Sequence, residues 1–215
     1  MDKICSRLFQ TVILLDRQYL ITEHLIESTR GVLPAFEQAM EEQQQGLPHV
    51  LAVYNYVFGL VDHLVRYEKI AFSLPMLNQK SAEFRTFAVA MGNLKDIRNQ
   101  LQHINNEIEN DNSGPLLGTV CWISNGDQFL VSFNDVGRDR SWQGIVLNTH
   151  TGQYLHEFCY VYNDAYHDLG GAISGMRTFN EFVNSKFKVE IDGKSYDSKD
   201  HFSAYKIELQ LSPEN

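Results

Sequence analysis

The chain has 215 residues, a formal net charge of −9, 43% hydrophobic and 21% charged residues. That composition supports one or two packed cores and excludes a disordered polar tail. It also argues against a protein that coats nucleic acid by charge alone, since such binding needs clustered Lys and Arg to neutralise phosphates.

In chain order, Ile4, Leu8, Val12, Leu15, Tyr19 and Ile26 recur at helical intervals and predict one long helix from about Lys3 to Arg30. Gly31 and Pro34 are expected to end it, and a short polar helix is expected from Ala35 to Gln45, stopped by Gly46. Pro48 to Phe72 predicts a second long helix with proline in its first turn and Pro75 beyond its end. It is apolar on most of its circumference, so it is expected at the centre of a bundle or against another subunit. Ser81 is placed to cap a last helix running to about Glu109. Long helices with short connections read as an antiparallel bundle.

The cluster Asn110-Asp111-Asn112-Ser113-Gly114-Pro115 breaks the helical pattern. It divides the chain into a helical domain, 1–112, and a β-rich domain, 113–215, an α+β organisation overall. Strands are expected at Leu117 to Ser124, Gln128 to Asn134, Gln143 to Asn148 and Tyr154 to Tyr162, with Asn125-Gly126-Asp127 as a hairpin loop. One helix is expected within Gly170 to Lys186, and two further strands at Val189 to Ile191 and Tyr205 to Leu211.

The chemically dense stretch lies late in the helical half. With ~100° per residue, Leu94, Ile97, Leu101, Ile104 and Ile108 form a narrow apolar seam, and Arg98, Asn99, Gln102, His103 and Asn106 occupy the opposite arc. An imidazole titrating near neutrality can take a proton from a ribose 2′-OH or give one to a leaving 5′-oxygen. A guanidinium can hold the phosphate with directed hydrogen bonds and stays charged throughout. One Arg and one His supply a single acid–base group where strand cleavage wants two, so a homodimer joining two such faces is expected to complete the site.

The run Arg98-Asn99-x-x-x-His103, on the late helix of a helical half of about 110 residues, resembles the motif of the HEPN superfamily, in which four to six residues separate the Arg from the His and a polar residue often directly follows the Arg. The resemblance covers the N-terminal half only. It implies a four- to five-helix bundle that dimerises so that two motifs converge and, in active members, metal-independent endoribonuclease activity leaving a 2′,3′-cyclic phosphate, without a cofactor. It also implies a toxin or anti-phage defence setting, with an inhibitor or defence-complex partner. Arg98 and His103 match the paired catalytic positions, and Asn99 matches the polar position after the Arg. Asp62 is a weaker match to an acidic residue that some members place beside the site. Gln102 and Asn106 are supporting candidates on the same arc. A known toxin subgroup carries Tyr two residues after the His; Asn105 stands there instead, so modification at that position is not expected. The competing reading is a non-catalytic dimerisation or nucleotide-binding adaptor whose β domain senses a partner or ligand.

Other residues give weaker patterns. Asp62 and Arg66 are spaced for a buried ion pair within one helix, satisfied inside the bundle, while a functional reading sets Asp62 beside His103 to fix its tautomer or raise its pKa. His24, His49 and His201 belong to no constellation. His156-x-x-Cys159 with Cys121 and His167 can be drawn as a metal site, but residues three apart on a strand face opposite ways, and no metal is expected. Asp164-x-x-His167-Asp168 reads as a polar loop. Trp122, Phe129, Phe133, Trp142, Tyr160 and Tyr162 read as sheet core. The three Cys lack Cys-x-x-Cys spacing, so neither a disulfide framework nor a zinc ribbon is indicated. The longest apolar runs, such as Val12 to Leu15, fall far short of the ~20 residues that cross a bilayer. The first residues lack the flanks of a signal peptide, so a cytoplasmic protein without a membrane partner is expected. Each half is acidic, with 10 basic and 14 acidic residues up to Asn112 and 8 and 13 after it. RNA contact is therefore expected at a small groove served by Lys95 and Arg98.

Overall fold

The computed structural model describes residues 3–42, 46–75, 77–92, 94–102, 117–133, 145–162, 165–191 and 194–197. The N-terminal half is helical, and the strands lie in the C-terminal half together with one long helix.

Helix α1 spans Lys3–Glu41 and carries Pro34 inside it. The expected break at Gly31 and Pro34 is overturned. A proline in mid-helix removes one N–H and crowds the carbonyl four residues back, so the continuation needs outside support. That support comes from the sheet: Phe36 packs edge-on against Trp122 at 5.6 Å between ring centroids. The Glu37 carboxylate accepts hydrogen bonds from Trp122 Nε1 at 2.7 Å and Ser124 Oγ at 2.9 Å. The separate helix expected over Ala35 to Gln45 is thus the last part of α1.

Helix α2, Leu47–Phe72, has proline in its first turn and buries Val53, Val57, Leu60, Val61, Leu64, Val65 and Tyr67. It touches α1, all the other helices and both strands of the first hairpin, the central position its all-round apolarity predicts. Helix α3, Ala82–Met91, begins at Ser81, whose side chain accepts from Phe84 N. The single helix expected from Ser81 to about Glu109 is interrupted, because Gly92 takes φ +49°, a conformation that glycine reaches at little cost and that cannot propagate a helix. Helix α4, Leu94–Gln102, follows. The remainder of that expectation, 103–109, and the expected boundary at 112 lie outside the described residues, as does the strand expected over Tyr205 to Leu211.

A four-stranded antiparallel sheet follows, in the order β2-β1-β5-β6. Strands β1 (Thr119–Ser124) and β2 (Asp127–Ser132) form the expected hairpin. Its two-residue loop has φ 52° at Asn125 and 88° at Gly126, the positive pair that the tight hairpin turn requires. Strands β3 (Leu147–Asn148) and β4 (Gln153–Tyr154) make a separate two-stranded hairpin. The strand expected over Tyr154 to Tyr162 is therefore two: Tyr154 pairs with Leu147, while β5, Phe158–Tyr162, pairs with β1. The run read as a polar loop forms strand β6, Ala165–Asp168, at the sheet edge, where half-exposed residues give no apolar signal. Helix α5 spans Leu169–Lys186, and β7 (Glu190–Ile191) and β8 (Lys194–Ser195) form a last small hairpin.

Alternation along the strands assigns the two sheet faces. Val120, Trp122, Val131, Tyr160 and Tyr162 join Val57, Leu60, Leu64, Phe84, Phe87, Ile97, Met176 and Phe179 in one continuous hydrophobic core. Cys121, Cys159 and Val161 face the other way, into a smaller cluster with Ile145, Tyr154 and Tyr166. Of the aromatics read as sheet core, Trp122, Tyr160 and Tyr162 are buried and Phe129 and Phe133 pack against the core; Trp142 lies outside the described residues. Among the described residues no helix is long and apolar enough to cross a membrane.

Candidate functional site

Helix α4 is short and mostly polar, and its attachment to α2 begins with the apolar seam: Leu94 and Ile97 are buried in the main core and Leu101 packs against it. This registers the opposite arc. Arg98 and Asn99 are half-buried and Gln102 is exposed. Arg98 Nε donates to Asp62 Oδ1 on α2 at 3.0 Å. The second oxygen of the same carboxylate, Oδ2, lies 2.7 Å from Arg66 Nε, one turn along α2. One carboxylate thus bridges two guanidiniums.

Burial alone would raise the Asp62 pKa, but the Arg98 hydrogen bond and the charges of Arg66 and Arg98 outweigh it and hold the group below the usual carboxylate range. Asp62 is therefore an anion under neutral conditions. Further along α2, burial pushes Glu68 up against the opposing pull of Lys95 and Lys69. The positive charge of Lys95 is thus partly answered by Glu68.

His63 turns to α1. Gln18 Nε2 lies 2.8 Å from its Nδ1 and 3.2 Å from its backbone carbonyl. An amide nitrogen can only donate, so Nδ1 accepts and the neutral ring carries its proton on Nε2. Burial, aided by Arg66 and opposed by Asp62, lowers the His63 pKa.

Asp62 and Arg98 are brought together from different helices, and Asn99 and Gln102 belong to the same short helix as Arg98. His103 and Asn106 lie outside the described residues. The ion pair expected between Asp62 and Arg66 is present, but it is not buried within the bundle: the Arg66 side chain is largely exposed. What the spacing could not show is the packing of α4 over α2, which brings Arg98 to the same carboxylate and turns a helical ion pair into a two-arginine cluster.

In the second half the pieces of the drawn metal arrangement diverge. Cys121 and Cys159 are register partners across β1 and β5, and Asp168 is opposite Cys159 on β6. His167 is opposite Tyr160 and so faces the other side of the sheet. Burial lowers the His167 pKa. Asp168 caps α5, accepting from Gly171 N at 2.9 Å, with His156 Nδ1 3.4 Å from its other oxygen. The Cys159 thiol is pushed up by its hydrogen bond with Cys121 and by burial, the reverse of what a nucleophilic cysteine needs. Among the described residues no group of three or more His, Cys, Asp or Glu side chains is placed to share a metal ion.

Fold and site together define a mixed α and β chain with a two-arginine, one-carboxylate cluster where α4 meets α2. No family model matches the sequence, and neither a curated protein nor a solved structure does.

Proposed function

We propose that the chain is a metal-independent endoribonuclease of HEPN type, working as a homodimer in a toxin or anti-phage defence setting. The observation that carries this reading is the Asp62–Arg98 ion pair. It joins the motif arginine to the one acidic residue that the resemblance sets beside the site, across 36 positions of sequence.

In this reading His103 takes the proton of the ribose 2′-OH, the oxygen attacks the adjacent phosphorus, and the 5′-oxygen leaves with a proton from the second copy of the motif. Arg98 stabilises the charge that builds on the non-bridging oxygens. Asp62 holds the Arg98 guanidinium in place, Asn99 orients the phosphate or the imidazole, and Gln102 and Asn106 are supporting polar groups.

The test is incubation of purified protein with mixed RNA, with and without a chelator, beside His103→Ala and Arg98→Ala variants. Cleavage that survives chelation, leaves 2′,3′-cyclic ends and disappears in both variants is expected. Equal RNA loss in the variants, or no loss at all, overturns the assignment.

A further inference from the structure

We propose that Arg66 and Arg98, bridged by Asp62, form a two-guanidinium clamp for the RNA backbone, with Arg66 a substrate-binding residue in its own right. This rests on the ribonuclease reading for the identity of the ligand.

The geometry supplies the first part of the argument. Both arginines approach Asp62 through Nε, at 2.7 and 3.0 Å. Two guanidiniums bring about ten N–H donors to a carboxylate with roughly four acceptor sites. Among the described residues most of that donor capacity has no other partner, in two planar forks that share one anchor. Phosphodiester oxygens are the acceptors such forks match, and Arg addresses them with two parallel bonds.

Charge supplies the second part. The other arginine ion pairs among the described residues are one-to-one: Arg177 with Glu23 and Arg30 with Glu27. Arg66, Arg98 and Asp62 carry a net positive charge, on a chain whose total is −9. A polyanion repelled by most of this surface is drawn to such a point.

Exposure supplies the third. The Arg66 side chain is 57% exposed and that of Arg98 23%. The Arg66–Asp62 pair lies within α2 and so does not hold α4 on it, and a pair this open contributes only about 0–1 kcal/mol to folding. Arg98 is the deeper and more fixed of the two. The arrangement suits an inner guanidinium on the reacting phosphate and an outer one on a neighbouring phosphate.

Binding of a fluorescein-labelled single-stranded RNA oligonucleotide to the full-length His103→Ala protein, followed by anisotropy over a salt series, tests the clamp without cleavage. Arg66→Ala is expected to weaken binding roughly tenfold and to reduce the salt slope by about 0.7, one phosphate contact on a single strand. Arg66→Lys is expected to restore the slope but only part of the affinity, since an ammonium keeps the charge and loses the fork. Arg66→Gln serves if the alanine variant does not fold, and thermal melting checks each protein. Affinity and slope unchanged within twofold in Arg66→Ala overturn the clamp, as does an RNA affinity too weak to measure in the His103→Ala protein. The two proposals separate cleanly. His103-dependent cleavage with Arg66-independent binding removes the clamp alone; Arg66-dependent binding without cleavage removes the nuclease alone.

Discussion

Glu37 on α1 and Trp122 on β1 meet through a 2.7 Å hydrogen bond from the indole N–H to the carboxylate, and Ser124 donates to the other oxygen. The pair ties the part of α1 beyond Pro34 to the sheet. Hydrogen bonds to a charged group contribute roughly 1.5–3 kcal/mol, and a buried donor left without its acceptor adds a penalty. Glu37→Ala is therefore expected to destabilise the protein by about 2–3 kcal/mol, with the Trp122 fluorescence changed in the native state. Denaturant titration followed by tryptophan emission checks both; an unchanged midpoint would remove the tie as a support of the helix.

Pro34 gives the converse test. It lies inside a continuous helix, where it leaves the Arg30 carbonyl without its i+4 donor. Pro34→Ala restores the donor and removes the ring clash, and is expected to stabilise the fold by about 1–3 kcal/mol. Thermal melting reads this directly. A loss of stability would mean that the proline's bend is required for Phe36 and Glu37 to reach the sheet.

Acid should weaken the fold in two windows. Burial lowers the pKa of both His63 and His167, so their contribution is complete above the unfolded value of about 6.5 and is lost as pH falls through the lower folded values. Glu23 is held down by its hydrogen bonds from Arg177, and Asp62 by Arg98 and Arg66 against burial. Their contribution is complete above about pH 4 and disappears below it. Glu68 has the opposite sign: burial raises it, so its charged form costs stability at neutral pH and protonation relieves the cost. Denaturation midpoints across pH should show a first decline that His63→Gln with His167→Gln flattens. A second, lower decline should be flattened by Glu23→Gln, and Glu68→Gln should be more stable than the parent at pH 7. An acid profile that none of these variants alters would contradict the assigned environments.

The crossing of α3 and α5 depends on two small residues. A side chain built at Gly175 would run into the Ala90 methyl, which places the two helices in close contact. Gly175→Ala is expected to cost about 1–3 kcal/mol by overpacking, despite alanine's better helix propensity. Ala90→Gly should recover part of that cost when the two changes are combined, giving a favourable coupling in a double-mutant cycle. Strict additivity would show that the helices separate freely.

Where local chemistry decided the structure, the sequence was readable. Ser81 as a cap, Pro48 in a first turn, Asn125-Gly126 as a hairpin loop and the limits of α5 all follow from short-range rules and are found close to where those rules set them. Long-range partners decided the rest. Pro34 failed to end α1 because Trp122, far along the chain, holds the continuation. Strand β6 was hidden because an edge strand with Tyr166, His167 and Asp168 lacks an apolar run. At the candidate site, the seam of Leu94 and Ile97 and the polar arc with Arg98 were legible from periodicity. That Asp62 divides its two oxygens between Arg66 and Arg98 could not be read, since it depends on how two helices are stacked.

The continuous core has a consequence for the order in which the protein can be made. Helix α3 places Phe84 and Phe87 against Phe179 of α5, more than ninety positions later in the sequence. During synthesis those rings meet Phe72 and Tyr67 of α2, but the side that packs on Phe179 stays uncovered until α5 has left the ribosome. The helical half on its own would therefore present a sticky, incompletely folded surface, and the loop that must close to cover it makes the final collapse a late and comparatively slow event.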